Sequence, residues 1–166
     1  MNKDRIQIGR PEFFLGLLIF GIAFSSSILL QWDRLDIYLI KAADERGYYQ
    51  YLPGIFIEGD LSKLYWTHHL ANGLHLNLFT IGVAILQLPF FLLGHMIALL
   101  LGYPATGYTP PYALCAMAGG GLYSAVAGVL ISLHLKRSFP SVVGIGSVLI
   151  LYLGTNMYYY LSLIHI

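Results

Sequence analysis

The chain has 166 residues, 57% of them apolar and 10% charged, with a formal net charge of +1 and a mean hydropathy of +0.69. Ordinary globular domains carry roughly a quarter charged residues, so this composition excludes a soluble domain and points to a membrane protein. The near-neutral balance, without a basic run, excludes a nucleic-acid partner, and a single cysteine, Cys115, inside an apolar stretch excludes an internal disulfide.

The charges are unevenly placed. Ten charged side chains lie between Asp33 and Lys63, whereas Lys136 and Arg137 are the only ones after Leu64. At roughly 2.5–3.5 kcal/mol for each charge at a helix centre, the 33–70 stretch cannot insert as a span and belongs in water or at the interface.

In chain order, Lys3, Arg5 and Arg10 make a basic N-terminus, and Pro11 and Glu12 signal a helix start. The uncharged run 13–32, at about 1.5 Å per residue, just covers a hydrocarbon core of about 30 Å. It ends in Gln31 and Trp32 rather than in a small-residue cleavage site, so it reads as a retained anchor with its basic end cytoplasmic. Leu35, Tyr38, Leu39 and Ala42 then recur at helical spacing, as in a helix lying along the membrane with its apolar side down.

The stretch 43–53, ADERGYYQYLP, is the densest polar segment beside a span, with two adjacent carboxylates, an arginine and three tyrosines. It reads as a site candidate or, more plainly, as a solvated loop with interfacial tyrosines. His68, His69 and His75 follow, at offsets that match no zinc spacing, so no metal site is expected. The strongest apolar run is 78–101, where Pro89 is expected to kink the helix. The proline- and glycine-rich 102–112 reads as a tight connector, followed by spans over 111–135 and 142–160.

Ala116, Gly120, Ser124, Gly128 and Ser132 repeat every fourth residue and make a small-residue ladder for close helix packing. With no partner in these four helices, that ladder is expected to stay unfilled and the chain alone to be inactive. Topology holds a conflict. One crossing per apolar run puts Lys136 and Arg137 outside, against the positive-inside tendency, unless 70–101 makes two short passes broken near Pro89. The fold class is all-α: a polytopic transmembrane helical bundle with interfacial helices in the first outer loop.

The run 43–60, an acidic residue followed by GYYQYLPGIFIEGD, resembles the first outer loop of bacterial membrane glycosyltransferases of the GT-C class, relatives of the protein O-mannosyltransferases and aminoarabinose transferases. The segments 77–82 (NLFTIG), 88–95 (LPFFLLGH), 107–112 (GYTPPY) and 154–160 (GTNMYYY) resemble family segments in the same order. The resemblance implies an enzyme of the bacterial inner membrane that takes a sugar from a polyprenyl-phosphate donor to a glycan or lipid acceptor, with its active site facing the periplasm and no cofactor. It places Asp44 at the family's early acidic position, as general base, with Glu45 in support. Family chains are longer, so residues 1–166 correspond to the N-terminal part of such a domain, lacking its C-terminal helices, and the tail LSLIHI departs from the pattern.

Transfer to a hydroxyl or amine needs a carboxylate for the acceptor proton, worth typically 10²–10⁴-fold. Lys41, Arg46 and Lys63 are candidate cations for the donor phosphate, and Tyr48 and Tyr49 for stacking on sugar or lining its approach. The rival reading is a fragment of a transporter or membrane assembly subunit, for which His95 is the only ionisable side chain deep in a span.

Overall fold

The structure, a computed structural model, describes residues 8–36, 38–41, 43–64, 67–155 and 157, leaving aside the side chains of Lys41, Ala43 and Lys63. The chain is mainly helical. Helix α1 (Arg10–Gln31) leads through a 3-10 turn (Trp32–Arg34) into the short α2 (Tyr38–Lys41), α3 (Ala43–Tyr49) and α4 (Tyr51–Pro53), the last continuing as a π-turn over Gly54–Glu58. A two-residue hairpin, β1 (His68–His69) with β2 (His75–Leu76), precedes the long α5 (Ile81–Leu101), α6 (Pro110–Leu135) and the shorter α7 (Ser141–Gly154). Among the described residues three stretches, Arg10–Arg34, Ile81–Leu101 and Pro110–Leu135, are long and apolar enough to cross a membrane. The described part of the fourth apolar run is 14 residues long, and the tyrosines of 158–160 with the tail beyond lie outside the described residues.

Helix α6 is the centre of the bundle. Gly16 and Phe20 of α1 meet Val129 and Gly121 of α6, and Gly94 and Phe90 of α5 meet Tyr112 and Gly119. On the third side Gly144 and Val148 of α7 meet Ser132 and Gly128. In each pair the numbers climb on one helix while they fall on α6, so α1, α5 and α7 all run antiparallel to it and parallel to one another. The small-residue ladder is the reason they come so close. Gly120, Ser124, Gly128 and Ser132 are all buried. A side chain at Gly128 would strike Ile19 and Val148. The expected unfilled face is therefore covered, at these positions, by α1 and α7 of the same chain.

Because α1 and α5 run the same way, the chain returns along the bundle within 32–80, a stretch whose charges had placed it in water or at the interface, and α5 runs unbroken through Pro89. The ends follow suit. Glu12 closes the first turn of α1 by accepting the Gly9 amide at 3.0 Å, and its other oxygen accepts Lys136 Nζ at 2.8 Å from the last turn of the α6 side. The basic pair 136–137 thus shares an end of the bundle with the start of α1.

The return segment also corrects the picture of a helix lying on lipid. Tyr38 and Leu39 are buried in one cluster with Tyr49, Leu52, Phe91, Tyr112 and Met117. Their apolar stripe faces α5 and α6, because a bundle surface offers dispersion contacts that fluid lipid does not hold in place.

Replacing Lys136 by Ala leaves the buried Glu12 carboxylate with the Gly9 amide alone. The expected loss is about 2 kcal/mol, below the usual range for a broken buried pair because Lys136 itself is 39% exposed. Thermal unfolding in detergent should show that loss, and the exchange Glu12→Lys with Lys136→Glu should recover part of it. Two single charge reversals that simply add would mean the ends are apart.

Candidate site on helix α3

Helix α3 carries the acidic pair in its first turn, where carboxylates complement the exposed amide dipoles. Gln50 N–H donates to Arg46 O at 3.0 Å and Gly54 N–H to Gln50 O at 3.1 Å, which threads α3 and α4 onto a common course. On that course Glu45, Tyr49 and Leu52 fall at i, i+4 and i+7 and make the buried stripe, at 5%, 1% and 3% exposure. Asp44, about 100° away around the helix, is exposed. The two adjacent carboxylates are thus separated into one facing outward and one facing the core.

Glu45 Oε1 accepts the Tyr38 hydroxyl at 2.7 Å. Burial pushes the Glu45 carboxyl up to about 8, against the pull of the Tyr38 hydrogen bond and with a further push from Asp44. Burial, then the charge of Glu45, holds the Tyr38 hydroxyl far above its ordinary range, so it stays a donor.

Tyr49 fastens the far end of α3. Its hydroxyl, kept protonated by burial, donates to Gly107 O at 2.6 Å. Its ring meets Phe91 and Tyr108 edge-on at 6.0 and 5.9 Å. Gly107 allows this twice over: its φ of 87° lies in the left-handed region, and a Cβ there would stand 2.8 Å from Pro53.

The segment before α5 clasps the other side. Asn77 Nδ2 donates to Gly47 O at 2.9 Å and Asn77 Oδ1 accepts Phe79 N–H at 3.0 Å. That places the Phe79 ring where a Cβ of residue 47 would be. Tyr48 packs its ring edge-on to Phe79 at 4.8 Å, and the Tyr51 hydroxyl donates to Phe79 O at 2.8 Å.

Of the residues singled out in the sequence, the structure therefore brings Asp44, Glu45, Arg46, Tyr48 and Tyr49 together on one helix. Tyr49 is a buried tie and offers no ring at the surface; Tyr48 and Arg46 are half-buried. The side chains of Lys41, on α2, and Lys63, on the 3-10 turn Leu61–Lys63, lie outside the described residues. Sequence reasoning gave no role to Tyr38 as a donor, nor to Asn77, Phe79 and Gly107, although the last three stand in the stretches that resemble the family. His95, the deep ionisable group, is paired through Nδ1 with the Tyr112 hydroxyl at 2.6 Å. The histidines of the hairpin are exposed. Among the described residues no group of three or more His, Cys, Asp or Glu is placed to hold a metal ion.

The raised Glu45 carboxyl has a pH consequence with a definite sign. The folded state holds the proton more tightly than the unfolded chain, so the contribution of the neutral carboxyl is fully present below about pH 4.5 and is lost as pH rises to about 8. The protection of the α3 amides, taken relative to their intrinsic exchange rates, should fall over that window, and Glu45→Gln should flatten its pH profile. Tyr38→Phe, which deletes one hydrogen bond, should cost about 1 kcal/mol at low pH. An α3 exchange rate that follows pH identically with and without Glu45 would separate the carboxyl from the effect.

Comparison with protein-family models, with curated proteins and with solved structures finds no match for this chain.

Proposed function

We propose that this chain works in a polytopic glycosyltransferase of the bacterial inner membrane, with Asp44 as the base that takes the acceptor's proton during sugar transfer from a polyprenyl-phosphate donor. The observation that carries the reading is the convergence of three stretches distant in sequence on α3. Residues 43–58, 77–79 and 107–112 pack together. Each of them belongs to a segment on which the family resemblance rests.

The packing has a chemical use. A base must be held within a few tenths of an ångström of its working position, and a helix locked on its far face by neighbours does this better than a loop. Asp44 is exposed on such a helix, while Arg46, two residues on and half-buried, lies about 200° around it and would reach a donor phosphate only from the neighbouring face.

The test is sugar transfer by the protein in membrane vesicles supplied with polyprenyl-phosphate-linked sugars, read as labelled product. Transfer that depends on the lipid-linked donor supports the reading; solute transport without transfer from any such donor overturns it. The sidedness is tested separately. With Cys115→Ala as background, Ser62→Cys should react with an impermeant thiol reagent on intact cells and Ser138→Cys only after the cells are broken. Labelling of Ser62→Cys only in broken cells would move the site to the other face.

A further inference from the structure

Between them α1 and α6 leave an apolar groove of about 420 Å³. Phe13, Leu17 and Phe20 form one wall and Val126, Leu130 and Leu133 the other. Its volume falls in the range of small-ligand sites, and its walls carry large exposed side chains such as Leu130 at 60% and Phe13 at 57%.

The end of the groove is charged in a particular way. Arg10 precedes Leu17 by about two helical turns and therefore continues the α1 wall. On the other wall Arg137 follows Leu130 by about two turns, carried there by a tight turn in which its amide donates to His134 O at 3.3 Å. Both arginines are exposed. Lys136 is turned onto Glu12, so its charge is matched within the protein, while the two arginines at this end of the helices stay exposed.

We propose that this groove holds an anionic phospholipid, one acyl chain lying between α1 and α6 and its phosphate held by Arg10 and Arg137. The walls supply apolar contact over the length of the chain, and paired cations at a membrane-helix end suit an acidic headgroup. A further protein helix fits less well. It would cover the same walls, but only one carrying acidic side chains at this end would also answer the two exposed cations. The inference is independent of the glycosyltransferase reading, since it uses neither α3 nor any residue of the candidate site.

The test uses the whole chain, with Trp32 and Trp66 replaced by Phe, carrying Leu130→Trp as a fluorescent reporter in the groove. It is reconstituted into phosphatidylcholine vesicles containing brominated phosphatidylglycerol or brominated phosphatidylcholine as quencher. We expect quenching at a much lower mole fraction of the anionic lipid, a preference of roughly thirtyfold, or about fivefold for each arginine. Arg10→Gln with Arg137→Gln should bring the two lipids near parity. Leu100→Trp, on the exposed side of α5, should show no preference in either background. Val126→Trp reports on the same groove if Leu130→Trp fails to fold. Equal quenching by both lipids with the arginines intact overturns the proposal. So does the absence of quenching by either, which would show the groove covered by protein.

Discussion

On the proposed function, Asp44→Asn is expected to lower sugar transfer by about 10²–10⁴ while leaving donor binding nearly unchanged. The amide keeps the size and most hydrogen bonds of the carboxylate but cannot accept a proton. Glu45→Gln separates chemistry from structure at the adjacent position. Its carboxyl is buried and donated to by Tyr38. Burial favours its neutral form, so the amide is close to an isostere of what the fold already holds. Turnover should change little, and the pH response of α3 should disappear. Were both carboxylates plain surface residues, each substitution would stay within about 0.5 kcal/mol of neutral. A complete protein with Asp44→Asn that turns over at the normal rate would remove Asp44 from the mechanism.

The largest stability effect is expected at Gly47. A methyl group there would overlap the Phe79 ring, and the ring has little room to withdraw because Asn77 holds the Phe79 amide and Tyr51 the Phe79 carbonyl. Gly47→Ala should therefore cost about 1–3 kcal/mol through overpacking. Protease should then cut the 43–58 region sooner. Adding Phe79→Ala should recover much of the loss, since removing the ring removes the clash. Asn77→Ala should loosen the same clasp without introducing a clash, so its effect should add to that of Tyr51→Phe only in part. A neutral Gly47→Ala would mean that the clasp does not form as described.

How much of this was legible beforehand depended on whether a property was local. The long apolar helices follow from hydropathy and length. Pro11 and Glu12 announce the start of α1, and Pro110 and Pro111 begin α6 where a missing amide does no harm. Helix α5 begins at Ile81, three residues later than its apolar run, because Asn77 and Phe79 are engaged by α3. Nothing in the run itself reports that engagement.

The stretches 43–60, 77–82 and 107–112 meet in the fold, but nothing in them announced their contacts. Asn77, Phe79 and Gly107 hold α3 and α4 through one hydrogen bond each, made across 28 to 58 residues of chain. Such pairings leave no periodic trace.

By itself the sequence determined that the chain is helical and built for a membrane, where its long helices lie, that α6 has a face narrow enough for close neighbours, and that charge gathers in one segment. Those properties are set by each residue's own solvation and by spacing along one helix. Tertiary structure decided that α1 and α5 run parallel, that Glu12 meets Lys136, and that of two adjacent carboxylates Glu45 turns to the core while Asp44 stays exposed. Neighbouring helical residues point about 100° apart, so which of them is buried depends only on where the rest of the bundle stands.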